Sequence, residues 1–199
     1  MAPKVGVAPV RREEIVHATI RCLARDGYSG LRMKEVAREA GVSQGILHYY
    51  FESKRAILLA ALHKVLDDLN RRVGPALAAA PDARAQLGAV IRSFLTLADE
   101  NREFWVVFVE FWGEMMHDRE LSQVNAALYR RLRRTLGAIV ARGVRAKLFR
   151  KVEPEDAGSV VLALVDGISL QRAFDPKAFT LPRATRLCED AVLRFLEKR

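Results

Sequence analysis

The sequence predicts an all-α protein of about nine helices, with a small three-helix module at the N-terminus and a larger C-terminal bundle. Three observations predict it. Apolar residues recur at helical spacing along almost the whole chain. Runs of alternating β-branched residues, the mark of strands, are missing. Glycine and proline are sparse and fall mainly between the periodic stretches, where helices end. With 199 residues, half of them hydrophobic, the chain can build one good core, or one small domain and one larger one. A composition shift near residue 55 divides it into domains 1–55 and 56–199.

Pro9 begins the first helix region. Ile15, Thr19, Cys22 and Leu23 form one face of it, with Val16 and Ile20 beside them, and the glycines of Asp26–Gly30 stop it. A short second helix covers about Met33–Ala40. Gly41 ends it, because glycine takes positive φ without a Cβ clash. The Ser43 hydroxyl caps a third helix. A longer fourth helix follows Ser53 and breaks near Gly74–Asp82. The fifth runs from about Asp82 to Glu100, the sixth from Arg102 to His117 and the seventh from Arg119 to Ala146. Pro154, tolerated in a first turn, opens the eighth. Phe174–Pro182 separates it from a last helix ending near Lys198.

The net charge of +9 and the pI of about 10 point to an anionic partner such as nucleic acid. The charge is unevenly placed. Ten Arg or Lys and one acid lie between Arg119 and Lys151, a surplus equal to the whole net charge, whereas Met1–Arg55 has only a small basic excess. The charge therefore cannot be credited to the N-terminal module alone. The basic seventh helix reads as a solvated face, with a second anion-binding surface as the sharper alternative. No apolar run approaches the roughly 20 residues of a membrane span, and Met1–Arg12 does not have the order of a signal peptide. Cys22 and Cys188 sit among apolar helical positions, as buried thiols of a reducing cytoplasm do.

The stretch from Ala37 to Lys54 is the most informative. A helix-turn-helix packs two short helices steeply across a tight turn, and needs small residues at the approach and apolar residues on both inner faces. Val36, Ala37 and Ala40 supply the first helix, Gly41 the turn, and Val42, Leu47 and Tyr50 the second, with Phe51 packing back. That leaves Gln44, Gly45, His48 and Tyr49 facing outward. A recognition helix enters the major groove N-terminus first. A large side chain at Gly45 would hold the backbone off the DNA, and Gln44 can donate and accept at a base edge. The free N–H groups at Ser43 suit a phosphate. Tyr49 and Lys54 come later, where the helix rises toward the backbone, and a phenol and an ammonium bind phosphate there.

Met33–Leu58 resembles the DNA-binding signature of the TetR family of bacterial repressors, and Arg12–Gly27 is similar to that family's first helix. The resemblance implies three helices for DNA, then about six for ligand binding and dimerisation. It also implies Thr or Ser as the cap of the second helix. This chain has Arg32 there, which gives up the cap and gains a possible phosphate contact. The family often has Tyr where His48 stands and His where Tyr50 stands. Three further segments, Pro3–Arg12, Glu110–Leu121 and Ala163–Arg172, are similar to the choline-responsive repressors of glycine-betaine synthesis. In the first of these, Lys4, Arg11 and Arg12 can reach phosphates or a minor groove, as basic arms do.

In the sixth helix, Phe104, Trp105, Phe108, Phe111, Trp112 and Met115 fall within an arc of roughly 120°. Such a stripe is core, or one wall of an effector pocket. Quaternary ammonium ions favour aromatic cages with an acid nearby. This helix points Glu103, Glu110 and Glu114 the other way, so the counter-charge falls to Asp166, which interrupts the apolar run Val160–Leu170. Glu110, Glu114 and His117 have a spacing that can hold a metal but read better as an exposed acidic face. Val161, Leu164, Gly167, Leu187, Val192 and Phe195 are candidates for a homodimer interface, because two recognition helices match a pseudo-palindromic double-stranded operator.

There is no Gly-rich phosphate loop, nucleophile elbow or strong metal-ligand pair. The sequence therefore reads as a bacterial, cytoplasmic, dimeric regulator that binds DNA and a small-molecule effector. It is expected to have no enzyme activity, cofactor, resident metal or membrane partner. An architectural DNA-binding protein without effector, and a regulator of a drug-efflux or lipid pathway, are the alternatives.

Overall fold

The computed structural model describes residues 7–100 and 102–197. Among them are nine helices: α1 (Val7–Gly30), α2 (Met33–Glu39), α3 (Gln44–Tyr50), α4 (Lys54–Ala79), α5 (Ala83–Glu100), α6 (Arg102–Met115), α7 (Arg119–Arg145), α8 (Pro154–Phe174) and α9 (Leu181–Leu196). No strand occurs among the described residues, so the all-α expectation holds. Gly27 interrupts α1 at φ 67°, the left-handed region that only glycine enters at little cost. Helix α4 differs from expectation in running through Gly74 and Pro75 before it stops at Ala79. Proline lacks one backbone donor, but it does not end the helix here.

The helices sort into two compact units that cut across chain order. The first comprises Met1–Asp68 and Arg102–His117, the second Leu69–Asn101 and Asp118–Arg199. Residue 55, the boundary drawn from composition, lies at the second position of α4, and that helix contributes to both units. In the first unit α1 packs on α2 and α6, and α2 on α3. Its buried residues include Ile15, Leu23, Leu47, Phe51, Leu58 and Phe111.

The second unit is built on α5, α7, α8 and α9 around Leu87, Ile91, Leu136, Val140, Phe149 and Val192. The α7–α8 pair is its closest packing. A Cβ added at Gly158 would stand 2.5 Å from the Arg133 carbonyl oxygen, and one at Gly137 would stand 2.7 Å from that of Pro154. Side chains are excluded there because backbone meets backbone. Helix α8 is long and apolar enough to cross a membrane by length and composition, with a mean hydropathy of 1.3 over its most apolar stretch. That corrects the expectation that no run approaches a span. It packs here as a bundle helix against α5, α7 and α9.

Replacing Gly158 with alanine should therefore destabilise the protein by about 1–3 kcal/mol, as overpacking against a fixed partner does. Urea denaturation of the full chain measures it. An unchanged midpoint would show that α7 and α8 can part without cost.

Candidate nucleic-acid interface and a buried polar cluster

The interface begins with the turn. Gly41 takes φ 64°, its N–H bonds to the Arg38 carbonyl at 3.1 Å, and the Val42 N–H returns to Ala37 at 2.9 Å. This closes α2 and swings the chain into α3. Ser43 caps α3 as expected: its Oγ accepts from the Ile46 N–H at 3.2 Å. Leu47 is fully buried and anchors the helix, so Gln44, Gly45, His48 and Tyr49 are turned outward and exposed. Among the described residues, the Gln44 and His48 side chains make no hydrogen bond. Tyr49 is 71% exposed and meets the Tyr50 ring edge-on at 5.1 Å. A Cβ at Gly45 would meet only the Ser43 Oγ, at 3.9 Å. Packing inside the protein therefore does not require glycine there, and an external surface is the better reason for it.

Lys54 starts α4 and holds its ammonium 4.1 Å from the centre of the Tyr28 ring. Arg32 occupies the N-cap of α2 with extended backbone and no capping hydrogen bond. Its neighbours Arg25 and Arg38 are tied to Asp26 at 2.8 Å and to Glu35, which leaves Arg32 as the unpaired cation of that groove. The Arg25 guanidinium holds the Asp26 carboxyl below its usual range, and the Arg21 guanidinium does the same for Glu39. Arg11 pairs with Glu14 at 2.8 Å on the exposed face of α1, and Arg12 lies over the Phe51 ring at 4.9 Å. Lys4 lies outside the described residues.

Two residues were missed in the sequence. Ile46 is 46% exposed on α3, an apolar side chain on the outward face that suits a thymine methyl group. Its spacing from Val42 and Tyr50 is also that of a buried stripe, so no sequence signal marked it. Glu110 was read as part of an exposed acidic face. Instead its Oε2 accepts the Tyr28 N–H at 2.6 Å, just past the break at Gly27. The wheel of α6 set it opposite the aromatics correctly but could not show that α1 lies on that side.

On α6, Trp105, Phe108 and Phe111 are buried, and Trp112 and Met115 are half-buried. Phe108 and Trp112 meet edge-to-face at 5.9 Å. The Phe104 side chain is outside what the structure describes. Asp166 lies in the other unit, on α8, where the Tyr129 hydroxyl donates to its Oδ2 at 2.8 Å. Burial raises the Asp166 carboxyl above its usual range, with the Tyr129 hydrogen bond opposing; burial beside that carboxylate also raises the Tyr129 phenol. Of the residues grouped as a dimer interface, Val161 and Val192 are only 1% and 0% exposed, within the core of their own chain. Leu187 is 43% exposed, and Leu164, Gly167 and Phe195 are half-buried. Cys22 and Cys188 are free and buried, and burial raises the Cys188 thiol to about 11.

A capped, outward-facing α3 set on α2 by a glycine turn, ahead of a helical bundle, defines a helix-turn-helix transcriptional regulator rather than an enzyme. Residues 15–61 match the model for bacterial regulatory proteins of the tetR family, and residues 81–197 match that for the C-terminal region of BetI-type transcriptional repressors. The chain belongs to the TetR family, with a BetI-type C-terminal region. It is 31% identical over 191 residues to the HTH-type transcriptional regulator BetI of Agrobacterium fabrum, covering 94% of this chain and 89% of that one. BetI of Burkholderia mallei is 30% identical over 198 residues, 99% of each chain. A transcriptional regulator from Saccharomonospora viridis, solved in complex with choline, superposes with a TM-score of 0.81 at 25% identity, over 96% of this chain and 100% of that one.

The raised carboxyl of Asp166 has a thermodynamic consequence. The native protein holds this proton to higher pH than the unfolded chain, whose aspartate titrates near 3.8. Stability is therefore lost as pH rises from that value through the raised one. Asp166→Asn should stabilise the protein at neutral pH, and the gain should fade as pH falls below the usual aspartate range. Denaturant midpoints taken across pH 3–8, about 5 units, test this against the wild type; parallel curves would refute it.

Proposed function

We propose that the protein is a homodimeric repressor, released from a pseudo-palindromic operator by an organic cation of the choline type. The single observation that carries the effector class is the choline complex of the Saccharomonospora viridis regulator, whose fold this chain shares over nearly its full length. Aromatic and acidic residues of this chain support it. Trp105, Phe108 and Trp112 of the first unit offer ring faces of the kind that attract quaternary ammonium ions. In the second unit, Asp166 is a half-buried carboxylate whose hydrogen-bond donor is a neutral phenol rather than a cation.

Dimerisation rests on α8 and α9. Only 28% of the most apolar stretch of α8 is buried within the chain. Leu164 and Gly167 on α8, with Leu187 and Phe195 on α9, supply an apolar surface that a second copy would cover. Pairing would present two recognition helices to two half-sites. Effector and operator are then linked: whatever factor the effector takes from DNA affinity, DNA takes from effector affinity. Sedimentation at micromolar concentration should show a dimer, and a monomer alone would refute the pairing. Tryptophan fluorescence should respond to choline, and a flat titration would refute the effector class.

On DNA, Gln44 reads a base edge, while Tyr49, Lys54 and Arg32 hold the backbone. Lys54→Ala should weaken binding to operator and to unrelated DNA by a similar factor, and reduce the salt dependence by about one phosphate contact. Tyr49→Phe should weaken both alike. Gln44→Ala should instead relax base preference, by about 1–3 kcal/mol of discrimination. Anisotropy titrations against operator and scrambled duplexes at several salt concentrations separate the roles. A specificity change in Lys54→Ala with unchanged non-specific affinity would contradict the assignment.

A further inference from the structure

Near the Tyr129–Asp166 hydrogen bond, two side-chain atoms, Asn125 Oδ1 and Ser169 Oγ, have no partner among the described residues. Asn125 precedes Tyr129 by four residues on α7, and Ser169 follows Asp166 by three on α8, so each shares a helix face with its neighbour. The two helices run antiparallel, with Gly137 against Pro154, Arg133 against Gly158, and Tyr129 bonded to Asp166. One turn back along α7 and one turn forward along α8 therefore lead the same way. Asn125 and Ser169 both fall within a turn of the carboxylate. The Oδ1 of Asn125 and the Oγ of Ser169 are buried and take no hydrogen bond from the protein, and Ser169 is only 2% exposed. Buried polar groups are almost always satisfied, so two orphans at one level of one helix pair require a reason.

We infer that Asn125, Tyr129, Asp166 and Ser169 form a subsite that reads a hydroxyl group on the cationic effector. The Asn125 Oδ1 accepts the hydroxyl proton and the Ser169 hydroxyl donates to its oxygen. Tyr129 fixes the carboxylate of Asp166 toward the ligand's positive charge. This rests on the cationic-effector reading and goes beyond it, from charge to functional group. A trimethylammonium alcohol satisfies every group. Its isostere without the hydroxyl leaves both orphans unpaired, and a site built around hydrogen bonds rejects such an analogue strongly. Glycine betaine, which carries a carboxylate in place of the alcohol, sets like charge against Asp166 and is rejected for that reason.

Calorimetric titration of the full-length protein with choline, ethyltrimethylammonium and glycine betaine tests the subsite. Choline should bind at least ~10-fold more tightly than ethyltrimethylammonium, which lacks only the hydroxyl. Ser169→Ala and Asn125→Ala, each checked for native helicity, should each bring that ratio within about 3-fold by weakening choline alone. Equal binding of the two cations by the wild type would overturn the subsite while leaving the cationic effector standing. So would retention of the ratio in both variants, or tight binding of betaine. Binding of neither cation would overturn both.

Discussion

The N–H groups in the first turn of a helix must find an acceptor, and where they find it decides what each helix end can do. Asp118 and Thr180 cap α7 and α9 with side-chain oxygens, Ser53 accepts from Ala56 at the head of α4, and Asp82 accepts from Ala85 at the head of α5. Thr180, Ser53 and Asp82 each take one donor, and Asp118 takes two. Ser43 does the same for α3 with the Ile46 donor. What distinguishes α3 is that Gln44 and Gly45, which follow the cap, are exposed on the outward face, where free first-turn donors suit an anion. Helix α2 goes further, since Arg32 replaces the capping oxygen with a cation and caps nothing. The uncapped end and the guanidinium favour the same partner, an anion, and both lie in the unit that carries the recognition helix.

The first unit extends the same logic past α1. After Gly27 breaks the helix, the Tyr28 N–H has lost its place in the ladder, and the Glu110 carboxylate of α6 accepts it. The ring of the same tyrosine lies under the Lys54 ammonium at the head of α4. Helices α4 and α6 are thereby pinned to one residue of α1, by one ring and one backbone contact. A cation held against an aromatic face keeps its charge while losing conformational freedom, so less entropy would remain to be lost on pairing with an anion.

Much of this was legible in the sequence because its causes are local. Helical periodicity, the Gly41 turn and the Ser43 cap depend on neighbours within a few residues, and they located the recognition helix and its outward residues. The aromatic wheel of α6 was legible for the same reason. What lay beyond reach depends on which element packs where. Glu110 became a hydrogen-bond acceptor because α1 covers its side of α6. Val161 turned out to be core because α8 is only weakly amphipathic, and such a helix does not say which stripe faces its own chain; Val192 falls on the buried stripe of α9 with Ala184, Cys188 and Leu196. Ile46 could be assigned to either face by spacing, and only the burial of Leu47 settles the rotation.

Asp166 places a carboxylate on a helix whose other side packs into the core. Val161 and Val165 turn one side of α8 into the core, with Ser169 buried one turn further along, while Asp166 turns toward Tyr129 of α7. A carboxylate in that position costs stability whenever it is charged, and an aliphatic residue would pack the pair at lower cost. The cost is useful to a switch. A ligand changes a conformational equilibrium only by the difference between its affinities for the two states. A half-buried charge without a protein cation would supply such a difference, because a state that brings a ligand cation to the carboxylate is relieved of part of the penalty and any other state keeps it. On the proposed effector reading, the residue that weakens the bundle would supply the free-energy difference by which an organic cation biases it.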